Sequence, residues 1–398
     1  MHATEKDTRN EHSPVYFGSV RQKRLRWQET LPAKLDLILE RLAIRDRVKG
    51  DTVAIKMHLG GNVGYSTVHP VFVRKIVQAV KDGGGTPFVT DTSGAVASAY
   101  ARGYTQETLG CPILPAAGIG DTYYRVFEEP YKNILQWQVA GQVADATFLI
   151  NLAHAKGHSA CAYAGVLKNL ALGCQVGSIR SQIHDTFHYD QYWFPEKCPD
   201  AAKRQAIIAS CPHEAIIQDT ANPEGLHLIL DWCNACGRCL KVAPEGSLRI
   251  QRVNFESFQE ACAYSAKQVL STFHKDKQVH VVLAIDITPL CDCFGMTTLP
   301  ILPDVGIFGG NDVCAVEQAT LDALAQYPLM EENIPEPFEV QHDSSHPLQQ
   351  LHGRYKDPYL VVRLAEKLGL GSTSYAIQDV MEEESPPVVQ SHISAREM

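Results

Sequence analysis

The stretch VAIKMHLGGNVGYSTVHPVFVRKIVQAVKDGGGTPFVTD, residues Val53–Asp91, decides the fold. Its first five residues, Val53–Met57, form a mainly apolar run typical of a buried strand, and Pro87–Asp91 is a second such run. Between them, Pro70 begins a segment with apolar residues at helical spacing that ends at consecutive glycines. A strand, a helix and a strand over this length predict one βαβ unit with parallel strands.

The rest of the chain repeats this alternation of strand and helix patterns. Further strands are predicted at Ala146–Asn151 and Val279–Asp286, and helices at Tyr163–Leu172, Phe255–Thr272 and Val313–Tyr327. Such alternation favours an α/β fold with a mostly parallel sheet and helices on both faces.

Composition excludes several classes of function. The chain has 398 residues, with 36 Lys and Arg against 45 Asp and Glu, so its net charge is −9. A mildly acidic chain does not favour nucleic acid or anionic lipid as a partner. No apolar run approaches the ~20 residues of a membrane helix, and the polar segment Met1–Ser13 lacks the apolar core of a secretory signal. We therefore expect a globular cytoplasmic protein.

The alternation is interrupted by residues 195–252, which hold few periodic runs but five cysteines. We predict an inserted α+β module there, between a first part, residues 14–194, and a second part, residues 253–380, of the α/β domain.

Three other segments are polar. Residues 331–358 are rich in Pro and His and predict a long surface loop. The N-terminus, 1–13, and the tail, 381–398, are predicted to be disordered.

The cysteines of the inserted segment follow a recognisable spacing. Two residues separate Cys233 from Cys236, and two more separate Cys236 from Cys239. Four residues after Cys239 comes Ala243, which directly precedes a proline. Bacterial ferredoxin runs read Cys-x2-Cys-x2-Cys-x3-Cys-Pro. Clustered cysteines in a reducing compartment indicate metal or cluster ligation.

A second, earlier run can be aligned on Cys211, which also precedes a proline, and its first three positions are Ala201, Arg204 and Ile207. In two-cluster ferredoxins the last cysteine of each run ligates the other run's cluster. Positions 201, 204, 207 and 243 would therefore serve one cluster, and all four lack cysteine. The residues for the other cluster are all present, and they are Cys211, Cys233, Cys236 and Cys239.

We therefore predict a ferredoxin-like module with one [4Fe–4S] cluster. Four thiolates also suit tetrahedral zinc, which is the alternative. Cys198 fits neither set and is expected to be a free thiol.

Several motifs outside the cysteine segment are distinctive. They are VAIKMH (Val53–His58), PFVTDTS (Pro87–Ser93), NLAHAKGHSACAYAGVLKNLALG (Asn151–Gly173), ITPLCDC (Ile287–Cys293), PDVGIF (Pro303–Phe308), NDVCAVEQATLD (Asn311–Asp322) and KLGLGSTSY (Lys367–Tyr375). Over about residues 15–380 the sequence resembles the ferredoxin-containing family called domain of unknown function 362. This resemblance implies the fold and a cluster but no known reaction. Members commonly carry both cysteine runs complete, and this chain departs from the family there.

A weaker resemblance is to the lactate racemase family, whose enzymes use a nickel-pincer nucleotide. His158, Lys168 and His184 have the spacing of the residues around that cofactor, although an equivalent of the family's Thr-His-Arg-Pro motif is missing. The resemblance implies that these residues meet in one site. It leaves open a second metal or nucleotide-type cofactor.

A binding crevice is also expected from position alone. Two histidines and a lysine directly follow the predicted strand Ala146–Asn151, and ligands of open α/β sheets bind beyond the carboxyl ends of strands. Such side chains would hold an anionic group or a metal; the alternative is hydrogen-bonded loop residues and a lysine extended along a helix surface. The crevice candidates are His58, Asp91, His154, Lys156, His158, Lys168 and His184.

The Cys291-Asp292-Cys293 segment follows another predicted strand. Its spacing is tight for one metal ion, and packing in the core is the more common role for such cysteines.

Three hypotheses for the function follow. The first is a redox enzyme whose cluster serves the crevice and exchanges electrons with a carrier such as a ferredoxin or flavodoxin. The second is a non-redox enzyme, such as a 2-hydroxy-acid isomerase, with a structural cluster. The third is a cluster-bearing assembly or sensor protein. A homo-oligomer remains open.

Overall fold

The computed structural model describes residues 12–382 and 388–389. The strands are, in chain order, β1 (Ser13–Ser19), β2 (Thr52–Met57), β3 (Thr86–Asp91), β4 (Ile113–Pro115), β5 (Tyr124–Phe127), β6 (Trp137–Ala140), β7 (Phe148–His154), β8 (Lys156–His158), β9 (Ala162–Ala164), β10 (Ile216–Gln218), β11 (Leu226–Leu228), β12 (Gln278–Ala284), β13 (Gly306–Gly310), β14 (Tyr375–Asp379) and β15 (Val388–Val389).

Nine of these strands form the central sheet, in the order β15-β14-β1-β13-β12-β7-β2-β3-β4. The neighbours from β12 through β7, β2 and β3 to β4 are all parallel. Strand β14 is parallel to β1, and the antiparallel pairs involve β13 and β15. The expected α/β fold with a mostly parallel sheet is therefore confirmed.

The helices cover both faces of this sheet. They are α1 (Leu31–Arg41), α2 (Ile44–Arg47), α3 (Pro70–Asp82), α4 (Ser93–Ala99), α5 (Gln106–Leu109), α6 (Gly141–Ala144), α7 (Val166–Gly173), α8 (Gly177–Asp185), α9 (Ala201–Ala209), α10 (Arg238–Val242), α11 (Arg252–Leu270), α12 (Val313–Leu324), α13 (Pro347–His352) and α14 (Leu360–Lys367). Among the described residues, no helix has the length and apolar character needed to cross a membrane.

Successive side chains along the strands point to opposite faces of the sheet, so the interior is divided into two cores. In β7, Leu149 and Ala153 face one core, whereas Ile150 and Leu152 face the other. This is the two-residue period of a strand that is buried on both faces. The first core contains residues of α7, α11, α12 and α14, and the second contains residues of α1 and α3.

The predicted elements agree with the structure except at their ends. The strand expected to end at Asn151 begins at Phe148 and continues to His154. It continues because β7 lies between β2 and β12, whose ladders satisfy its backbone. The prediction that a strand near Val279–Asp286 joins the same sheet is confirmed by the pairing of β12 with β7.

Residues 195–252 do not contribute to the central sheet. They contain helices α9 and α10 and the antiparallel pair β10–β11. Apolar side chains of this segment, such as Ile207, Ile216 and Leu226, belong to the same core as α7 and α11. The segment therefore shares the interior of the main body, and its ferredoxin-like character stays a prediction.

The predicted surface loop at 331–358 is wrong in part. Pro347–His352 forms α13, in which Leu348 and Leu351 are buried. Their spacing of three residues places both on one helical face, which packs into the first core. Lys356 is also buried, and its Nζ donates to the carbonyl oxygen of Asp231 at 3.1 Å.

The two segments predicted to be disordered, 1–13 and 381–398, lie mostly outside the described residues. Within the described part, Ser13 begins β1, and Val388–Val389 pairs with β14.

Asp312 ties the start of α12 to neighbouring segments. Its Oδ1 accepts hydrogen bonds from the backbone N–H groups of Cys314 and Ala315, and its Oδ2 accepts from Ser372 N and Ser13 Oγ. We expect Asp312→Ala to lower the free energy of unfolding by about 2 kcal/mol, because a helix cap and its other partners are lost together. Urea unfolding measures the change.

The matched control is Asp46→Ala, which removes an exposed carboxylate from α2. It should change the free energy of unfolding by less than about 0.5 kcal/mol. Equal losses in the two variants would contradict the role of the cap.

Candidate functional site

A cavity of about 460 Å³ lies beyond the carboxyl ends of β2, β3, β7 and β12. We call it the crevice. All seven residues predicted to form a crevice lie in its lining, and they are His58, Asp91, His154, Lys156, His158, Lys168 and His184. His58, Asp91 and His154 meet there because the parallel strands end at one edge of the sheet, whereas Lys168 and His184 reach the crevice from α7 and α8.

One side of the crevice is organised by Asp91, at the end of β3. Its Oδ2 accepts hydrogen bonds from Leu59 N at 2.8 Å and His58 Nδ1 at 3.0 Å, and Lys56 Nζ lies 3.1 Å from Oδ1. Lys56 also donates to Asn169 Oδ1 at 2.8 Å. Burial raises the pKa of Asp91, but Lys56 and His58 lower it more, so the pKa is well below its usual range.

Asp292 organises the opposite side. Its Oδ2 lies 2.7 Å from Lys156 Nζ and 3.2 Å from His154 Nδ1. The other ring nitrogen of His154 lies 2.8 Å from the carbonyl oxygen of Ile285. The side chains of His154 and Lys156 are therefore bonded to structural partners, and they position the segment around Asp292. The net shift of the Asp292 pKa is downward because these two partners outweigh burial.

Lys168 reaches the crevice from α7. Glu317 fixes the start of this helix, because its carboxylate accepts hydrogen bonds from Val166 N at 2.8 Å and Leu167 N at 3.2 Å. Lys168 Nζ then lies 3.6 Å from Cys291 Sγ. Burial alone would lower the pKa of Lys168, but the adjacent cysteine sulfurs raise it above its ordinary value.

Cys291 and Cys293 were expected to pack in the core, and for Cys293 this is wrong. Cys291 is buried, but Cys293 is exposed and lines the crevice. Their sulfurs lie within 4.8 Å of each other and of a ring nitrogen of His58. Burial raises the pKa of Cys291, but a hydrogen bond with Cys293 and the charge of Lys168 lower it more, so its pKa is well below the ordinary thiol value.

The remaining two predicted histidines have different surroundings. Burial and the charge of Lys168 lower the pKa of His158 to about 4, so this imidazole is neutral at pH 7. Its Nδ1 accepts a hydrogen bond from Ala160 N at 3.1 Å, which places the proton on Nε2. His184 Nδ1 lies 3.4 Å from Asp231 Oδ2, at the border with the cysteine segment.

The four cysteines predicted to bind the cluster surround a second, smaller cavity. We call it the cysteine cavity. Backbone N–H groups of Ala215 and Ala235 lie 3.3 and 3.4 Å from the sulfurs of Cys211 and Cys233, respectively. Gly237 has φ +77°, a left-handed conformation that suits glycine and lets the chain turn around the cavity. Cys198 does not line it.

The positions of the missing second cluster have other roles. Arg204 is buried and donates to the carbonyl oxygens of Cys198 and Pro199, both at 2.9 Å. Ile207 has no exposed surface and belongs to the first core. This part of the segment is therefore stabilised by helix packing and hydrogen bonds.

A third cavity lies between the crevice and the cysteine cavity, because it shares Asp231 and Trp232 with the first and Pro212, His213 and Asn234 with the second. Asp231 and Trp232 line the crevice, and the next residue, Cys233, lines the cysteine cavity. The Trp232 ring packs edge-on against Phe294, at a centroid distance of 5.0 Å, and Phe294 follows Cys293. The sequence prediction missed Asp231, Trp232 and Lys56, because only their location in the fold relates them to the site.

Comparison with known proteins agrees with the sequence resemblance. The model of the family described as Domain of unknown function (DUF362) matches residues 53–322. The chain belongs to the DUF362 family. No curated protein matches it.

The solved structures that resemble this DUF362 protein include the lactate racemase apoprotein from Thermoanaerobacterium thermosaccharolyticum. That match has 12% sequence identity and a TM-score of 0.29, and it covers 40% of this chain and 41% of the racemase chain.

We expect Lys56→Met to lower the free energy of unfolding of this DUF362 protein by about 3–5 kcal/mol at pH 7, because Asp91 would remain charged and buried without its lysine. The pKa of Asp91 is below its unfolded value, so the pair stabilises the protein above about pH 4 and this contribution is lost as the pH falls. Urea unfolding at pH 7 and pH 4 should show a smaller difference from wild type at the lower pH.

Lys75→Met is the control, because Lys75 pairs with Asp36 at a partly exposed site. Loss of this ion pair should lower the free energy of unfolding by at most about 1 kcal/mol. A Lys56→Met protein as stable as this control at pH 7 would rule out a strong contribution from the buried pair.

Proposed function

We propose that this DUF362 protein is an iron–sulfur redox enzyme. Cys211, Cys233, Cys236 and Cys239 hold one [4Fe–4S] cluster, which exchanges electrons one at a time with a substrate or cofactor in the crevice. The observation that carries the proposal is the arrangement of four thiols around one cavity, which shares lining residues with a third cavity that in turn shares Asp231 and Trp232 with the crevice.

The surroundings of the four thiols suit a cluster. In the part of the chain that the structure describes, three metal-binding side chains have ligand atoms that all lie within 4.8 Å of one another. They are His58, Cys291 and Cys293. Within the described residues, no three of the four cysteine sulfurs form such a group. A single tetrahedral zinc ion would need all four sulfurs at ~2.3 Å from its centre. Backbone N–H groups directed at two of the sulfurs are a feature that tunes cluster potentials.

The cluster would supply electron transfer, and the chain's own residues would bind the reacting group. Lys168 lines the crevice and favours an anionic group such as a carboxylate. Trp232 and Phe294 close the side of the crevice next to the cysteine cavity. Trp232 lines the crevice and directly precedes Cys233, which supports electron exchange between the cluster and the crevice.

An external carrier would exchange electrons with the cluster. Cys236 is exposed, and the surrounding segment is therefore accessible from solvent. We propose a soluble carrier such as a ferredoxin or flavodoxin in the cytoplasm. The twelve cysteines are not joined in disulfides, which supports a reducing compartment such as the cytoplasm.

A second candidate is a non-redox isomerase that acts on a 2-hydroxy acid and has a structural cluster. It is favoured by His158, Lys168 and His184, which line the same cavity. Neutral His158 and cationic Lys168 could handle a proton and bind a carboxylate, respectively.

The proposal predicts four iron atoms per chain after anaerobic purification, because one of the two ferredoxin cysteine sets is complete. Chemical reduction should give the electron paramagnetic resonance signal of a reduced [4Fe–4S] cluster, and oxidation should remove it reversibly. Cys236→Ser should abolish or severely damage the cluster. Iron analysis and potentiometric titration measure these results.

Cys198→Ser is the matched control, because Cys198 lies outside the cysteine cavity. Its iron content should equal that of wild type. Eight iron atoms per chain, zinc in place of iron, or iron lost with Cys198 would contradict the cluster assignment. A cluster that cannot be reduced while the enzyme is active would instead favour the isomerase.

A further inference from the structure

We propose that His58, Cys291 and Cys293 form a second metal site, which binds one thiophilic divalent ion and leaves a coordination position open to the crevice. Zinc is the ion that this ligand set fits best. The proposal stands on residues outside the cysteine cavity and does not depend on the cluster.

The first observation is the spacing of the three ligand atoms. The two sulfurs and a ring nitrogen of His58 lie within 4.8 Å of one another. Tetrahedral zinc has bonds of ~2.3 Å to sulfur and ~2.0 Å to nitrogen, so its ligand atoms stand somewhat under 4 Å apart. Only small adjustments of side chains are needed to close the site around an ion.

The second observation is the orientation of His58. Its Nδ1 donates to the Asp91 carboxylate at 3.0 Å, so Nε2 is left to face the sulfurs. Nε2 is buried and has no hydrogen-bond partner within the described residues. A carboxylate on one ring nitrogen and an unpartnered second nitrogen are the arrangement that metal-binding histidines commonly have.

The third observation is that contacts of neighbouring residues restrain the segment that contains Cys291 and Cys293. Asp292, between the two cysteines, directs its carboxylate to Lys156 and His154. Gly295 has φ +67°, and a Cβ there would stand 3.1 Å from the Cβ of Asn62, so the turn after Cys293 is closely packed. The sulfurs are thereby presented by a restrained segment.

The neighbouring polar groups act as donors and leave the fourth position free. Lys168 Nζ stands 3.6 Å from Cys291 Sγ, and His158 Nε2 stands 3.9 Å from Cys293 Sγ. The Ala160 N–H bond keeps the proton of neutral His158 on Nε2, so this nitrogen donates to sulfur. Three protein ligands and one open position are typical of catalytic zinc, including Cys2His sites.

The charges specify the ligand class for the open position. Lys56 and Lys156 are each paired with a buried carboxylate, so they contribute no net charge. A divalent ion bound by both sulfurs holds Cys291 and Cys293 as thiolates. The ion and its two thiolates are together neutral, and the Lys168 ammonium lies 3.6 Å from Cys291 Sγ, so a positive charge stands beside the open position. A monoanion with an oxygen or sulfur donor, such as a carboxylate, would balance this charge.

Zinc binding to the full-length protein tests the proposal. The anaerobically purified protein is dialysed against Zn²⁺, and bound zinc and iron are measured together. Wild type should bind one zinc in addition to its iron. Cys291→Ser and Cys293→Ser should each weaken zinc binding more than about 100-fold, since even loss of an outer-shell partner costs 10–100-fold, and their iron content should not change.

Two further variants separate this site from the cluster. Cys236→Ser should lose iron and keep the zinc. Cys111→Ala, which changes a buried cysteine of the second core, should keep both metals. Co²⁺ in place of zinc should give the absorption of a tetrahedral thiolate site in wild type and Cys236→Ser but not in Cys293→Ser.

The proposal is overturned if wild type with intact iron binds no zinc. It is also overturned if the Cys291→Ser/Cys293→Ser double variant, folded by circular dichroism, binds zinc as tightly as wild type. Zinc lost in Cys236→Ser but kept in Cys293→Ser would place the ion in the cysteine cavity and would overturn it as well. The proposed cluster is tested separately, by the iron content.

Discussion

The buried carboxylate of Asp91 is the constraint on which the crevice depends. It lies at the end of β3 and binds Lys56, His58 and the backbone of Leu59, all from the end of neighbouring β2. A charge at this depth is tolerated because it is paired and hydrogen-bonded. The same contacts orient the His58 ring and hold Lys56 against Asn169 of α7. One carboxylate therefore connects two strands and the helix that carries Lys168.

A comparable arrangement of charged side chains restrains the opposite side of the crevice. Asp292 binds Lys156 and His154, so the segment after β12 is fixed to the end of β7. The crevice thus has a cation–carboxylate pair on each side, and Cys291, Cys293 and Lys168 lie between them. These charges are mutually compensated, and the thiols are the reactive groups that remain. This arrangement suits a site in which structural charges restrain a small set of chemically active side chains.

Much of this architecture was predictable from the sequence, because strands buried on both faces have strong apolar patterns. Val53–Met57 and Pro87–Asp91 correspond to β2 and β3 within one residue. The position of His58, Asp91 and His154 at or just after strand ends was enough to place them in the crevice lining, whereas Lys168 and His184 lie on helices and were chosen from their spacing. Pairing was not predictable: the partners of Asp91 and Asp292 come from strand neighbours that local spacing does not reveal. The end of β7 and helix α13 were missed because tertiary packing outweighs local polarity there.

The proposed arrangement has two centres, a four-cysteine cavity and a three-ligand site in the crevice, and Trp232 lines the crevice one residue before Cys233 of the cysteine cavity. Anomalous X-ray scattering from anaerobic crystals grown with zinc tests it most directly, with data above and below the iron and zinc absorption edges. The account predicts iron density among Cys211, Cys233, Cys236 and Cys239, and one zinc peak among His58, Cys291 and Cys293. Zinc in the four-cysteine cavity, or no metal near His58, would contradict it.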